Sequence, residues 1–307
     1  MFHAPGRVNL IGEHVDYAGG LVLPVPIDRF VSVRGGEADT IRLVSTGARG
    51  IVELAADGSG SADGWGRLVA AVAVELAQLG RPPVGLVGIV DSDVPQAAGL
   101  GSSAALEVAV ARGLCAVAGF EVEPVQLAQA CRRAEERALG VPCGIMDQAA
   151  AVLGRRRHGL LLDCGTLARQ LVPLPDGLAV LVLDSGLPRR LEGSEYARVR
   201  ETILGGHPHL AAENERVRRV AQALREDDRE TLGAELAAGH ESLRELGVST
   251  PELDRLVGLA LEEGAVAARL TGAGFGGSVV ALVDATRADE VGAAVVARYG
   301  RGGYLVS

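Results

Sequence analysis

The first third of the chain alternates short apolar runs with proline and glycine. Residues 21–34 (LVLPVPIDRFVSVR), 41–46 and 51–55 predict strands. Asp63-Gly64 precede Trp65, and the apolar-rich stretch 65–79 ending at Gly80 predicts a helix with a glycine stop. VGLVGIVDSDV (84–94) predicts a further strand. The pattern then changes abruptly. Helical spacing runs from about Ser102 to Ala118 and closes at Gly119. A second helix has Pro124 in its first turn and Gly140 after its end, and a third spans about 145 to 154. From about 159 strands return in GLLLDCG and LAVLVLDSG, followed by helices near 194–204, 209–225, 228–246 and 251–263. AARLTG and SVVALV predict strands, 287–298 a helix and GYLVS a last strand. There is no regular βαβ repeat, so the expected class is α+β in two lobes, 1–168 and 169–307.

Composition narrows the chemistry. A chain of 307 residues with 48% hydrophobic content can bury a substantial core. The net charge of −9 and the 3% aromatic content disfavour nucleic acid and acidic membranes as partners. Small-molecule chemistry is the expectation. All 30 basic residues are arginine, which excludes a Walker A loop, a protein-kinase strand lysine and a pyridoxal Schiff base. Phosphate chemistry here must use backbone amides, arginine, hydroxyls and a metal. Cys115, Cys131, Cys143 and Cys164 form no CxxC pair, and neither a signal-peptide pattern nor a membrane-length apolar run is seen. A cytoplasmic protein with reduced thiols is expected, of unknown oligomeric state and with no protein-borne zinc site.

Three stretches carry candidate chemistry. GRVNLIGEHVDYAGG crowds Arg7, Asn9, Glu13, His14, Asp16 and Tyr17 into a short glycine-bounded segment. QAAGLGSSAA (96–105) leads into a helix, where glycines let a ligand approach the backbone and free amides favour anions. By itself that string also fits a glycine turn with a serine-capped helix. TGAGFGGS (271–278) is a second glycine-rich loop between strands, a feature that hairpins also produce. Glu136 and Asp147 flank a short Pro-Cys-Gly turn; a solvated helix face accounts for Glu135-Glu136-Arg137, but not for Asp147 in GIMDQAA.

Taken in order, these motifs resemble the galactokinases of the GHMP small-molecule kinase superfamily. GRVNLIGEHVDY is similar to the galactokinase signature, with Val15 where threonine is usual, and VPQAAGLGSSAALEVA to the family's phosphate loop, with GLGSS for GLSSS. PCGIMDQ and RLTGAGFGGS are intact. SEYARVRE, ENERV, HESLRELGVSTPELD and DCGTL extend the likeness along the chain, with DCGTL for DCRSL and Thr202 at an often-cysteine position. The signature starts within the first residues, so the family's N-terminal extension is expected to be missing.

The resemblance implies a GHMP kinase fold: a ribosomal protein S5 domain 2-like N-terminal lobe and a ferredoxin-like C-terminal lobe, with the site between them. It implies transfer of the γ-phosphoryl group of ATP to the C1 hydroxyl of D-galactose. The alternatives are a GHMP kinase for N-acetylgalactosamine, arabinose, galacturonate or a heptose, and a non-catalytic galactose and ATP sensor. Asp147 would be the catalytic base and Arg7 its neighbour. Glu13, His14, Asp16, Gly144 and Tyr196 would bind the sugar. Trp65 would lie near the nucleotide base, with the phosphates on Ala97, Ala98, Gly99, Leu100, Gly101, Ser102 and Ser103. Ser103 and Glu136 would hold Mg²⁺, a hard cation that prefers oxygen ligands.

Overall fold

The structure is a computed structural model that describes residues 1–96, 98–187 and 194–307. Its first half contains strands β1 (Phe2–Asn9), β2 (Leu21–Val22), β3 (Pro24–Ala38), β4 (Thr40–Ser45), β5 (Ile51–Ala55) and β6 (Gly85–Ser92), and helices α1 (Gly66–Gln78), α2 (Ser102–Val117), α3 (Pro124–Leu139) and α4 (Met146–Leu153). The second half contains β7 (His158–Asp163), β8 (Arg169–Pro173), β9 (Leu178–Asp184), α5 (Ser194–Leu204), α6 (His209–Glu226), α7 (Arg229–Glu245), α8 (Pro251–Glu262), β10 (Ala267–Thr271), β11 (Ser278–Asp284), α9 (Ala288–Tyr299) and β12 (Tyr304–Val306). The chain divides into two compact units, each interrupted in sequence. Met1–Arg7, Ile27–Pro95 and Gly101–Leu153 form the first, and Val8–Pro26, Gln96–Leu100 and Gly154–Ser307 form the second.

The first unit is built on a mixed five-stranded sheet in the order β1-β3-β6-β4-β5. β4 runs parallel to β6 and antiparallel to β5, while β3 and β6 pair antiparallel from Val31↔Ser92 to Ala38↔Gly85. Ile41 and Leu43 on β4 and Val52 and Leu54 on β5 face inward at period two, as a sheet covered on one side requires. Helix α2 packs against α1, α3, α4 and β6. It is apolar nearly all round, with Ala104, Ala105, Val108, Ala109, Val110, Ala111 and Leu114 buried, the expected pattern for a helix enclosed by neighbours. Proline at the first position of α3 and left-handed Gly140 after its end (φ 72°) give that helix the bounds its sequence predicts.

The second unit holds an antiparallel sheet in the order β10-β11-β9-β12. Helices α8 and α9 pack on this sheet, and α7 packs against β10. The central strands β9 and β11 are buried along nearly their whole length. A smaller sheet, β2-β7-β8, packs against α6. The class is α+β, as the pattern predicts.

Three strand predictions differ from the structure: the single strand expected over 21–34 is broken at Leu23 into β2 and β3, and β3 runs on to Ala38. β1, for which the pattern predicts no strand, contains Pro5 and Gly6 and lies at the edge of its sheet, the place where a sheet tolerates proline. β8 buries only Val172 and therefore lacks an apolar alternation to announce it.

The chain turns sharply between β1 and β2. Gly12 has φ 105°, and a Cβ placed there would lie 2.5 Å from the Leu21 carbonyl oxygen and 2.7 Å from the Val22 Cα. Both neighbours are backbone and cannot rotate away. Gly12→Ala is therefore expected to lower the unfolding free energy by more than about 2 kcal/mol, by strain and overlap together. Gly36→Ala, which meets nothing within 4 Å, is the control and should change stability by less than about 1 kcal/mol. Urea unfolding of the two variants tests this; a Gly12→Ala protein as stable as the control would contradict it.

Candidate active site

In the first unit, Arg7 near the end of β1 meets Asp147 in the first turn of α4. Arg7 Nε donates to Asp147 Oδ1 at 2.8 Å, and Arg7 Nη2 donates to Oδ2. The two parallel bonds fix the plane of the carboxylate. The arginine side chain is 3% exposed and the aspartate 28%, so the buried partner holds and the other presents its edge. Gly101, left-handed at φ 74°, brings its backbone against the Arg7 side chain, where a Cβ would lie 3.3 Å from Cγ.

Behind Asp147 lies a second polar cluster. Gln148 Nε2 donates to Glu107 Oε2 at 3.0 Å and to Glu135 Oε2 at 2.8 Å, tying α2, α3 and α4 together. Glu107 is fully buried, and its Oε1 and the Gln148 Oε1 have no hydrogen-bond partner among the described residues. Burial, then the charges of Glu135 and Asp147, push the Glu107 carboxyl well above its ordinary range. Glu136, one residue from Glu135, faces elsewhere: its Oε1 accepts from Arg132 Nη1 at 3.0 Å and from the Cys143 N–H at 3.3 Å.

The glycine segment expected to cradle phosphate has the backbone for it. Gly99 and Gly101 are left-handed (φ 78° and 74°), and Gly101 caps α2 without any side-chain bond, leaving the first-turn amides uncapped by a side chain. Ser102 and Ser103 are half-buried in that turn. In the second unit, the Ser278 hydroxyl donates to the Ala98 carbonyl at 2.9 Å and anchors the start of the segment. Ala97 lies outside the described residues. Trp65, half-buried just before α1, donates through Nε1 to the Arg49 carbonyl at 3.2 Å.

The second unit gathers much of the signature. His14 takes a left-handed conformation (φ 59°), uncommon for a side chain of its size. Its Nε2 bonds the Ala273 carbonyl at 3.0 Å and must donate, so in the neutral ring Nδ1 accepts from the Tyr17 hydroxyl at 3.1 Å. Burial, with Tyr196 and Asp16 adding to it, pushes the Tyr17 phenol up and keeps it a donor. The Tyr196 ring lies 5.9 Å from the His14 ring and 6.3 Å from the Tyr17 ring, centroid to centroid. Asp16 and Tyr196 are half-buried. In the first unit, Gly144 is likewise half-buried just ahead of α4.

Glu13 is the most deeply placed of the expected sugar readers, at 1% exposure. Arg269 Nη2 donates to Glu13 Oε2 at 2.6 Å and to Glu213 Oε1 at 2.9 Å, and the Gly272 N–H reaches Glu13 Oε1 at 3.4 Å. One guanidinium thus faces two buried carboxylates. Burial pushes Glu13 up to about 7 against the pull of Arg269, and the Glu213 charge adds to the rise. The Arg269 charge holds Glu213 below its ordinary range in spite of burial.

Glu107, Gln148, Arg269 and Glu213 receive no role from sequence reading. The signal available was a lone charge in an apolar run: Glu107 within AALEVAV, Arg269 within AARLT. Among the described residues, no three His, Cys, Asp or Glu side chains are grouped to hold a metal by themselves, and no helix is long and apolar enough to cross a membrane. All four cysteines are free.

The raised Glu13 carboxyl has a thermodynamic consequence. Between its ordinary value of 4.5 and about 7 the native chain keeps a proton that the unfolded chain has released. Its contribution to stability is full below 4.5 and is lost as pH rises through about 7. Glu13→Gln has no such group. Wild-type stability relative to this variant should therefore fall by on the order of 3 kcal/mol across that window, at about 1.36 kcal/mol per pH unit. Denaturant titrations at stepped pH measure the difference, and a pH-independent value would contradict it.

The sequence matches the family models for the galactokinase galactose-binding signature over residues 1–35, the GHMP kinases N terminal domain over 67–155 and the GHMP kinases C terminal over 220–301. It is 37% identical to a galactokinase of Pyrococcus furiosus over 96% of this chain and 92% of that one. It is 38% identical to a galactokinase of Chloroflexus aggregans over 96% and 87%. Among solved structures, the Lactococcus lactis galactokinase complexed with galactose superposes with a TM-score of 0.89 at 29% identity, over 99% of this chain and 92% of that chain. The mevalonate kinase of L. major, at 20% identity and a TM-score of 0.75 over 99% and 94%, shares the fold. With curated relatives above one-third identity over nearly its whole length, the chain belongs to the galactokinase family of GHMP kinases.

Proposed function

We infer that this protein transfers the γ-phosphoryl group of ATP to the C1 hydroxyl of D-galactose, giving galactose 1-phosphate and ADP. The observation that carries the chemistry is the Arg7–Asp147 pair, a buried guanidinium gripping both oxygens of a carboxylate that stays partly open. Phosphoryl transfer depends on positioning and charge neutralisation more than on covalent help from the protein. The C1 oxygen forms the new bond to phosphorus, the bond to the β–γ bridging oxygen breaks, and ADP leaves with that electron pair. The hydroxyl proton passes late to Asp147, while Arg7 keeps the carboxylate in place and stabilises the charge developing on the sugar oxygen and the moving group.

Glu13, His14, Asp16, Tyr196 and the Gly144 backbone are proposed as the readers of the sugar hydroxyls. Glu13 acts with the acceptor capacity left after Arg269 and Gly272 have each engaged one oxygen. The amides of the Ala97–Ser103 segment, with left-handed Gly99 and Gly101, suit the phosphates of ATP, and Trp65 is proposed near its base. Two lobes divided near residue 168, a cytoplasmic location and small-molecule partners belong to the same reading.

Mg²⁺ fits the donors present. The charges of Glu135 and Asp147 reach Glu107, Arg7 engages Asp147, and the buried Glu107 Oε1 has no partner among the described residues, so carboxylate oxygens suited to a hard cation lie near one another. Ser103 and Glu135 are proposed to hold the ion in place of the expected Glu136, because Glu136 is paired with the Arg132 cation whereas Glu135 bonds the neutral Gln148 amide beside Glu107. When bound, Mg²⁺ would neutralise phosphate charge, using one or two protein oxygens and keeping several waters.

A coupled ADP-release assay over a panel of free sugars tests the reaction. Turnover should be greatest with galactose, and phosphate should be found on O1; phosphate on O6, or no turnover with any sugar, would overturn the reading. Asp147→Asn preserves shape and should lower kcat by about 10²–10⁴-fold with ATP binding retained; a fall below about tenfold would remove the base assignment. Ser103→Ala and Glu135→Gln should raise the Mg²⁺ concentration for half-maximal rate, and Glu136→Gln should leave it nearly unchanged. The reverse ranking would return the metal to Glu136.

A further inference from the structure

The strongest unassigned feature is Arg269. Its side chain is fully buried in the middle of β10, and one nitrogen, Nη2, serves both Glu13 and Glu213. Its Nε and Nη1 have no partner among the described residues. Removing such a group from water costs several kcal/mol, and an apolar side chain of similar volume often does as well for stability. What an apolar replacement cannot supply is the geometry around it. Glu213 Oε1 also accepts from the Gly12 N–H at 3.0 Å, Glu13 Oε1 from the Gly272 N–H, and the Glu13 carbonyl bonds His209 Nε2 at 3.0 Å. The turn at residues 12–14 is therefore gripped by α6, by β10 and by the loop after β10. Within that turn His14 sits at φ 59°, a conformation that persists only when its surroundings over-determine it. On α7, Gly239 lies against the guanidinium, where a Cβ would overlap Arg269 Nη1.

We propose that Arg269 is a positioning residue for the sugar-reading turn, acting through Glu13 and Glu213 to hold Gly12–His14 in its binding-competent form. The proposal rests on the reading that Glu13 and His14 contact the sugar. It follows that Arg269 acts on sugar affinity and not on the transfer step. If the turn is competent only part of the time, the apparent dissociation constant rises by the inverse of that fraction, while saturating galactose restores the competent state. A residue that merely stabilised the fold would, when lost, reduce the amount of active protein and so lower kcat at unchanged KM.

The test is steady-state kinetics on Arg269→Met, Arg269→Lys and Glu213→Gln, alongside thermal unfolding of each. Arg269→Met should raise KM for galactose by at least about tenfold, with kcat and KM for ATP within about threefold of wild type. Lysine keeps the charge but lacks the planar guanidinium that sets where the donating nitrogen stands, so Arg269→Lys should fall between the two. Should the methionine variant fail to fold, Arg269→Lys and Glu213→Gln decide the matter, each with a KM for galactose raised at least about threefold at near-normal kcat. A KM for galactose unchanged in the folded variants, or a loss confined to kcat, overturns the proposal. Wild-type protein inactive on galactose would instead overturn the proposed function, so the two failures are distinguishable.

Discussion

Taking an ionised carboxylate out of water is the cost around which both units are organised. Glu13 and Glu213 in one, Glu107 in the other, are essentially without solvent contact. In a chain without lysine, the available side-chain cation for this is the arginine fork, and it is used selectively. Arg269 stands between Glu13 and Glu213, and Arg7 grips Asp147. Among the described residues no arginine bonds Glu107, which relies on the Gln148 amide, and burial pushes its carboxyl up towards the neutral form. In spite of burial, Arg269 holds Glu213 below its ordinary range, whereas burial lifts Glu13, beside the same guanidinium, to about 7.

Residues that touch each other can differ widely in exposure. Asp147 retains 28% of its side-chain surface while Arg7 retains 3%. A carboxylate that must meet a substrate hydroxyl has to keep an open edge, and a partner that fixes its plane has no such need. Glu13 shows the opposite compromise. Its burial and its bonds to Arg269 and Gly272 leave it little freedom, so any hydroxyl it accepts must arrive in one orientation.

Much of the fold was legible because its signals are local. The bounds of α3 coincide with the prediction because proline at the first helical position and glycine after the last act within a turn of where they stand. β8 was not legible, because a strand with one buried side chain has no pattern to read. The candidate site was legible through ordered motifs, which identify Arg7 and Asp147 but cannot say which atoms meet. Glu135 and Glu136 show the limit. Adjacent residues on a helix point about 100° apart, since 3.6 residues complete a turn. The sequence offers both as charged neighbours, and only the folded chain sends Glu136 to Arg132 and Glu135 to Gln148. Arg269 and Glu13 are separated by 256 positions, a pairing beyond any periodicity.

The supporting residues follow a common rule. Arg269, Glu213, Glu107 and Gln148 are buried, and each bonds a residue that is itself a proposed reader, base or ligand, or the neighbour of one. A lone charge inside an apolar helix or strand is costly enough that an apolar side chain would serve stability at least as well. Its directional bonds are what an apolar side chain cannot imitate, and they matter most where a carboxylate must be aimed. Among the described residues, Glu107 stands behind Asp147, and Arg269 and Glu213 behind Glu13, while the equally buried Glu75 of α1 pairs with Arg133 and Arg137 of α3 and Arg81 bonds backbone carbonyls. Buried charge is therefore not confined to the candidate site, and it is the bonds of the first three to Glu13 and to the neighbours of Asp147 and Glu13 that single them out. The proposed catalytic and sugar-reading groups are thus bordered by side chains drawn from distant segments, from α2 and α3 in one unit and from α6 and β10 in the other.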